Sequence, residues 1–457
     1  MLTPRMFAAG VIVAGFAAML VVNWPGHLEF DSIRQLLEGR RGIYSNWHPP
    51  IMSWMLGAFD AAVSGGALFV LFDGLLAFGA LLSLLWIVPR PSWWAVAAAL
   101  VIVALPQLFL FQAIVWKDML FADACLAGFV CLAHTVQHWN SIPRRFALLG
   151  TSALFVSLAI LSRQNGFIVL PCAALALTAS VGRIATRRQG YIYGAGFLLC
   201  CALVAGAANA ALQLRAAKAF GPTEQLEDLQ LYDIGGMLKR QPDMPLPILG
   251  REKPPLAKAL REKAPHLFTP VWQDRLIGDR EISSWIPSSV SAVARQWRAL
   301  IVAHPGTYLA VRAKDFGWLF LSQHLHECLT FAVGVISVPA DLNAAKLPFR
   351  YDDRDAWLND SYATPLMETP AFSHPFFAVI GLIGLVVLLR RRRPADFAMA
   401  GLLIAAFLYT LSYFFVSIAC QYRYLYALDL SAIASAFYLM ADLRPLEWRR
   451  RRAAAST

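Results

Sequence analysis

About ten apolar runs punctuate this chain, at residues 6–23, 67–88, 94–112, 119–138, 147–162, 166–181, 191–212, 371–389, 396–419 and 424–441. A helix of roughly 20 apolar residues crosses a hydrocarbon core of about 30 Å, so this succession confines the chain to a membrane. Composition agrees, with 58% hydrophobic and 15% charged residues and a mean hydropathy of +0.53. The runs are apolar on every face, whereas barrel strands alternate every second residue. The expected fold is therefore all-α and polytopic, with about ten transmembrane helices. Met6 to Val22 has the length of a signal sequence but no small-residue cleavage site follows, so it reads as a retained first helix. Residues 49–66 hold Asp60 and a shorter apolar run, and read as an approach to the second span. Six of the seven cysteines (125, 131, 172, 200, 201 and 420) fall in apolar runs, where they act as small hydrophobes, and no disulfide framework is implied.

Charge then fixes orientation. Arg5, Arg90, Arg144, Arg145, Arg183, Arg187, Arg188, Arg390 to Arg393, Arg444 and Arg449 to Arg452 all fall in connections or tails on one side of a ten-span arrangement. The positive-inside rule makes that side, and both termini, cytoplasmic. The connections left for the other side are 24–50, Trp116-Lys117-Asp118, Ser162 to Asn165, residues 213–370 and Gln421-Tyr422-Arg423. The chain divides accordingly into a membrane domain (1–212), an outward segment (213–370) and C-terminal membrane helices with a basic tail (371–457). The outward segment carries 18 Lys and Arg against 18 Asp and Glu, so the formal +11 belongs to the rest, with 22 basic and 11 acidic residues. The excess is topological, and no nucleic-acid partner is implied. Prolines at 222, 242, 245, 247, 254 and 255, an amphipathic patch at 288–302 and an acidic turn at 351–355 predict a mainly helical extramembrane domain. Residues 316–338 are apolar but broken by His324, His326 and Glu327, and read as an interfacial or domain-core helix.

The polar island Gly26–Pro50 holds Glu29, Asp31, Arg34, Glu38, Arg40, Arg41 and His48 directly after a stretch without charge between Met6 and His27. Ser32-Ile33-Arg34-Gln35 has the form of a capping box, which predicts a short helix from Ile33 to Glu38 and leaves Asp31 free. Lys117, Arg163 and Arg423 stand at outward ends of spans, where a charge beside hydrocarbon needs a partner.

An acidic residue after the first span, a short helix and a Pro-Pro pair opening the next segment stand here as Glu29-Phe30-Asp31 and Trp47-His48-Pro49-Pro50. In this order the chain resembles the GT-C membrane glycosyltransferases that use polyprenyl-phosphate-linked sugars. It departs from the adjacent Asp-Glu pair of some of these families, because Phe30 separates Glu29 from Asp31, so either carboxylate can be the base. The resemblance covers spans 1 to 7. It implies inverting transfer of a sugar from a polyprenyl-phosphate donor to a cell-envelope glycan or lipid acceptor, at the periplasmic face of a bacterial inner membrane. Asp31, with Glu29 beside it, is then the catalytic carboxylate. Arg163 and Arg423 are the phosphate ligands with Lys117 as helper. Asp118 orients substrate or metal, and Tyr44, Trp47 and His48 contact sugar or acceptor. No cofactor is indicated, though a divalent metal is compatible with the resemblance.

Plainer roles fit the same residues. Asp31 suits an N-cap or a partner of Arg34, and the three cations suit anchors for ordinary phospholipid headgroups. His324, His326 and Glu327 have poor spacing for one metal on a helix face. Asp73, Asp123 and Asp429, inside the spans, fit a proton path or helix-packing hydrogen bonds equally. The competing functions are a polyprenyl-linked sugar or lipid transporter, which favours inverted repeats and mid-membrane polar sites, and an envelope glycan polymerase.

Overall fold

The computed structural model describes residues 3–45, 47–214, 224–285 and 290–443. The basic residues Arg444 and Arg449 to Arg452, Pro222 and the start of the 288–302 patch lie outside these. Among the described residues, nine helices are long and apolar enough to cross a membrane: Pro4–Asn23, Ala67–Ile87, Lys117–Gln137, Ile142–Ser162, Gln164–Ile184, Arg187–Gln213, His374–Arg391, Pro394–Val416 and Tyr422–Ala441. A tenth candidate, Trp94–Val103 with Pro106–Ala113, bends by 65°. Pro106 explains the break, since its ring clashes with the preceding turn and it offers no N–H to continue the ladder. The straight span expected at 94–112 is thus a bent one.

Lys117–Gln137 is the most enclosed helix, with 89% of its apolar window buried against 22% for Arg187–Gln213. The first two residues of this central helix, Lys117 and Asp118, therefore open at the middle of one end of the bundle. The opposite end carries Arg5, bonded to the carbonyl of Val88 at 2.7 Å, and Arg391, bonded to Asp442 at 3.0 Å.

Two short helices follow the first span, Phe30–Arg41 and Pro50–Asp60. The first buries Ile33, Leu36 and Leu37 on one face. They cross where Gly39 meets Gly57, and a Cβ on Gly39 would lie 2.2 Å from the carbonyl oxygen of Ser53. Arg40 grips Asp60 with two bonds of 2.8 and 2.7 Å, and Glu38 accepts from Ser53 Oγ at 2.8 Å.

The predicted cap is displaced by three residues. The helix starts at Phe30, Glu29 is its N-cap and Ser32, the third residue of the helix, closes the box. The Ser32 hydroxyl donates instead to the Val115 carbonyl at 2.6 Å, a tertiary partner that the sequence pattern cannot reveal.

A small β-knot roofs this end. His27 N donates to Ala113 O at 2.8 Å, Leu28 N to Gly334 O at 2.9 Å, and Val335 N to Arg350 O at 2.9 Å. His27 Nδ1 accepts from Gly334 N at 2.9 Å, so its Nε2 carries the proton donated to Asn23 Oδ1 at 2.9 Å. Gly334 adopts φ 90°, and a Cβ there would meet Arg350 O at 2.3 Å.

The described residues of 213–370 contribute to two hydrophobic cores. Residues 231–311 build a separate hydrophobic core, whereas Leu325, Val333, Val335, Leu342 and Phe372 join the core of the membrane helices. The helix expected over 316–338 ends at Phe320. Ser322 has φ 54°, and Leu329 and Val335 lie in extended bridges to Gln421 and Leu28. A disulfide joins Cys328 to Cys420, contrary to the expectation of none; the two are 92 residues apart, and Cys420 follows an apolar run that disguises it as a packing residue.

Candidate active site

At the roofed end, three carboxylates, three cationic side chains and one imidazole from five parts of the chain converge. The turn Gln421–Arg423 supplies the centre. Arg423 Nη2 lies 2.5 Å from Asp31 Oδ2, Nη1 lies 3.1 Å from Glu29 Oε1, and Nε donates to Gln421 Oε1 at 2.7 Å. Its guanidinium lies over the Trp116 ring at 4.7 Å, and Trp116 Nε1 donates to Glu29 Oε1 at 2.9 Å. Asp118 joins the two arginines, with Oδ2 at 3.7 Å from Arg423 Nε and Oδ1 at 3.0 Å from Arg163 Nη1. Arg163 also donates to the Tyr413 hydroxyl, and its guanidinium lies 5.2 Å from the Tyr424 ring centre. Lys117 Nζ donates to His48 Nδ1 at 2.6 Å, and His48 Nε2 faces Asp31 Oδ1 at 3.7 Å.

The structure thus brings together Glu29, Asp31, His48, Lys117, Asp118, Arg163 and Arg423, and it separates their duties. Arg423 gives three of its five N–H groups to Asp31, Glu29 and Gln421. Glu29 caps a helix and is bonded to Trp116 and Arg423, so both of its oxygens are engaged. Asp31 is the most accessible carboxylate, its side chain 23% exposed against 14% for Glu29 and 2% for Asp118. Burial alone would raise the Asp31 carboxyl, but the Arg423 guanidinium, with Lys117 behind it, outweighs burial and holds Asp31 well below the ordinary carboxylate range. Glu29 moves the other way, raised by burial and by the neighbouring Asp31. Burial, reinforced by Lys117, keeps the His48 imidazole neutral, well below its usual range.

Tyr44 and Trp47 lie on the loop before His48. Tyr44 is 2% exposed, and Trp47 is fastened through its carbonyl, which accepts from Gln164 at 3.5 Å and from Gln225. His324 stacks on Trp318 with 3.9 Å between ring centres and faces Glu327 at 3.4 Å. Within the spans, Asp123 accepts from Gln112 at 2.9 Å and Asp429 from Tyr422 at 2.6 Å, while His374 lies 2.9 Å from Asp429. Those aspartates are bonded to side chains of neighbouring segments. Among the described residues no group of three or more His, Cys, Asp or Glu side chains converges to hold a metal. The three carboxylates of the site face guanidinium groups, and such a donor set does not fit a divalent ion.

Sequence reading missed Trp116, Gln421, Tyr413 and Tyr424. Gln421 and Trp116 flank residues already singled out by charge, but an uncharged neighbour leaves no mark of its own.

A cavity of about 470 Å³ opens beside the cluster. Its polar end is His48, Arg163 and Gln164, and its walls include Leu161, Phe167 and Leu170, with Ala205 and Gly206 from Arg187–Gln213. That helix is the least enclosed of the spans, so the cavity lies at the lipid-facing side of the bundle.

The chain shows a distant likeness to solved structures of an archaeal oligosaccharyltransferase. No family model and no curated protein matches the chain. The archaeal oligosaccharyltransferase AglB from Archaeoglobus fulgidus, in complex with an inhibitory peptide and a dolichol-phosphate, matches with a TM-score of 0.42 and 16% identity over 98% of this chain and 52% of that one. The Archaeoglobus fulgidus enzyme tethered to an acceptor peptide containing the NVT sequon gives 0.44 and 14%, over 97% and 50%. Its complex with Zn and sulfate gives 0.43 and 15%, over 97% and 50%. The chain spans about half the length of these structures. A likeness this distant carries no argument about activity.

Proposed function

We propose that this chain is a membrane glycosyltransferase that moves a sugar from a polyprenyl-phosphate carrier to an acceptor hydroxyl outside the cytoplasm, with inversion at the anomeric carbon. The observation that carries this reading is the division of Asp31. Its Oδ2 is pinned by Arg423 at 2.5 Å, while its Oδ1 faces His48 across 3.7 Å, beside the polar mouth of an apolar cavity. A lipid carrier suits such a cavity, because its chain takes the apolar walls and its phosphate reaches the charged end. Arg163 lines the cavity and its Nε has no hydrogen-bond partner. Lys117 has only a neutral imidazole for a partner and keeps further N–H groups to give. These two meet the phosphate as the bond to the sugar breaks, and Arg423 positions the carboxylates.

The acceptor oxygen attacks the anomeric carbon as the carbon–oxygen bond to phosphate breaks. The lipid phosphate leaves with the electron pair, and the acceptor proton passes to Asp31 Oδ1. A carboxylate held low is a weak base, so the proton moves late, after cleavage is well advanced, and the ionised group also favours positive charge on the sugar ring. The neutral His48 borders both the base and the phosphate end.

Two independent features support an extracytoplasmic site. Basic residues gather at the far end of the bundle, which the positive-inside rule assigns to the cytoplasm. The Cys328–Cys420 disulfide lies at the site end, and disulfides persist in oxidising compartments. In a bacterium the site would face the periplasm.

The test is transfer from a panel of radiolabelled polyprenyl-phosphate sugars by the purified chain in nanodiscs. Asp31→Asn is expected to abolish transfer while undecaprenyl phosphate still binds; full activity in that variant removes the base assignment.

A further inference from the structure

Arg423 is oriented from outside the membrane bundle. The segment between Pro394–Val416 and the last span is non-helical from Ser417 to Gln421. Three parts of the outward segment grip it. Arg312, buried and paired with Asp233, donates to Ser417 O at 2.6 Å. Cys420 N donates to Val271 O at 3.2 Å. Cys420 is bonded to Cys328, and Leu329 pairs with the same strand, its N donating to Cys420 O at 3.2 Å and its O accepting from Tyr422 N at 3.0 Å. Gln421, at the centre of that bridge, accepts from Arg423 Nε at 2.7 Å. The path from the sulfurs to the carboxylates is therefore continuous.

We propose that the Cys328–Cys420 disulfide is a positioning element of the active site, fixing Gln421 and through it the Arg423 guanidinium against Asp31 and Glu29, so that reduction of this bond uncouples Arg423 from Asp31. The inference rests on the reading of Asp31 as the catalytic carboxylate and adds redox control to it. Loss of the bridge leaves the segment held by hydrogen bonds from Arg312 and from main-chain partners, and Arg423 gains freedom to leave its partners. The groups facing Asp31 are Arg423 from the last span, Lys117 from the central helix, His48 from the loop before Pro50, Glu29 from its own segment and Asp274 from the helical domain. Arg423 is the strongest of these in holding the carboxyl low. Its departure lets burial, Glu29 and Asp274 push the carboxyl upward.

The experiment reads that carboxyl directly. Dicyclohexylcarbodiimide adds to protonated carboxyl groups, and peptide mass spectrometry locates the adduct. Full-length protein in nanodiscs is labelled across pH 4 to 8, oxidised and after dithiothreitol, which converts the bridge to two thiols and is itself oxidised to its cyclic disulfide. Expected is an Asp31 labelling curve shifted up by at least one pH unit on reduction, restored on reoxidation, and reproduced by Cys328→Ser. Arg423→Gln should show the shift in both redox states. Curves that coincide within twofold overturn the proposal. So does loss of helical circular dichroism on reduction, which would make the bridge a general staple. Labelling does not depend on sugar transfer, so a redox shift in protein that transfers no sugar retains this inference and rejects the transferase reading.

Discussion

Asp31 Oδ2 sits 2.5 Å from Arg423 Nη2, joining the first loop to the last span across 392 residues of sequence. Removing the carboxylate charge tests its chemical role without changing its shape. Asp31→Asn should lower transfer by about 10²- to 10⁴-fold, the usual worth of a general base, with the dissociation constant for undecaprenyl phosphate unchanged within about threefold.

Arg423→Gln asks a different question, because it strands Glu29, Asp31 and Asp118 beside one another. Breaking a buried pair from one side costs about 3–5 kcal/mol. The variant should therefore melt several degrees lower as well as lose activity, whereas Asp31→Asn, which leaves Arg423 its bonds to Glu29 and Gln421, should lose activity with a smaller drop in melting temperature. Thermal unfolding of both variants in the same detergent distinguishes positioning from chemistry.

Gly206 lines the apolar cavity, and a Cβ there would meet nothing within 4 Å. Gly206→Phe should then fill the cavity at little cost in stability. Binding of undecaprenyl phosphate, followed by native mass spectrometry, should weaken at least tenfold, about 1.4 kcal/mol. Unchanged binding would place the lipid elsewhere.

Two buried imidazoles set an acid limit. Burial and Arg350 push His27 down to about 3, and His48 is also held well below its usual range. Both stay neutral in the folded protein while the unfolded chain takes up protons below about pH 6.5, so stability falls as pH falls. Each group contributes up to about 1.4 kcal/mol per pH unit in that window, down to about pH 3 for His27. Asp31, with its carboxyl held low, loses its contribution in the same direction at still lower pH. Urea midpoints should drop steadily from pH 6.5 to pH 5, and a flat profile would show the imidazoles already charged.

At the Gly39–Gly57 crossing there is no room for a side chain. Gly39→Val should cost at least about 2 kcal/mol by overpacking and displace the loop that carries His48. Loss of helicity or of thermal stability in the purified variant checks it.

The spans were readable because membrane-crossing helices write their length into hydropathy. What escaped was tertiary. Pro106 bends a run that hydropathy alone treats as continuous. Ser32 looks like a cap, but the Val115 carbonyl takes its hydroxyl and Glu29 caps in its place. Cys420 looked like a packing residue because its partner lies 92 positions away. The charged members of the site announced themselves by standing at the ends of apolar runs. Their division of labour did not, since whether an arginine meets a phosphate or a carboxylate depends on which side chains reach it first.

With three carboxylates set against Arg163, Arg423 and Lys117, the resting pocket has little positive charge to spare. In the proposed reaction, an incoming phosphodiester would borrow attraction from pairs already formed, and cleavage would turn it into a monoester bearing a second negative charge. The spent carrier is then the poorer guest, so the electrostatics that admit the donor also expel what remains of it.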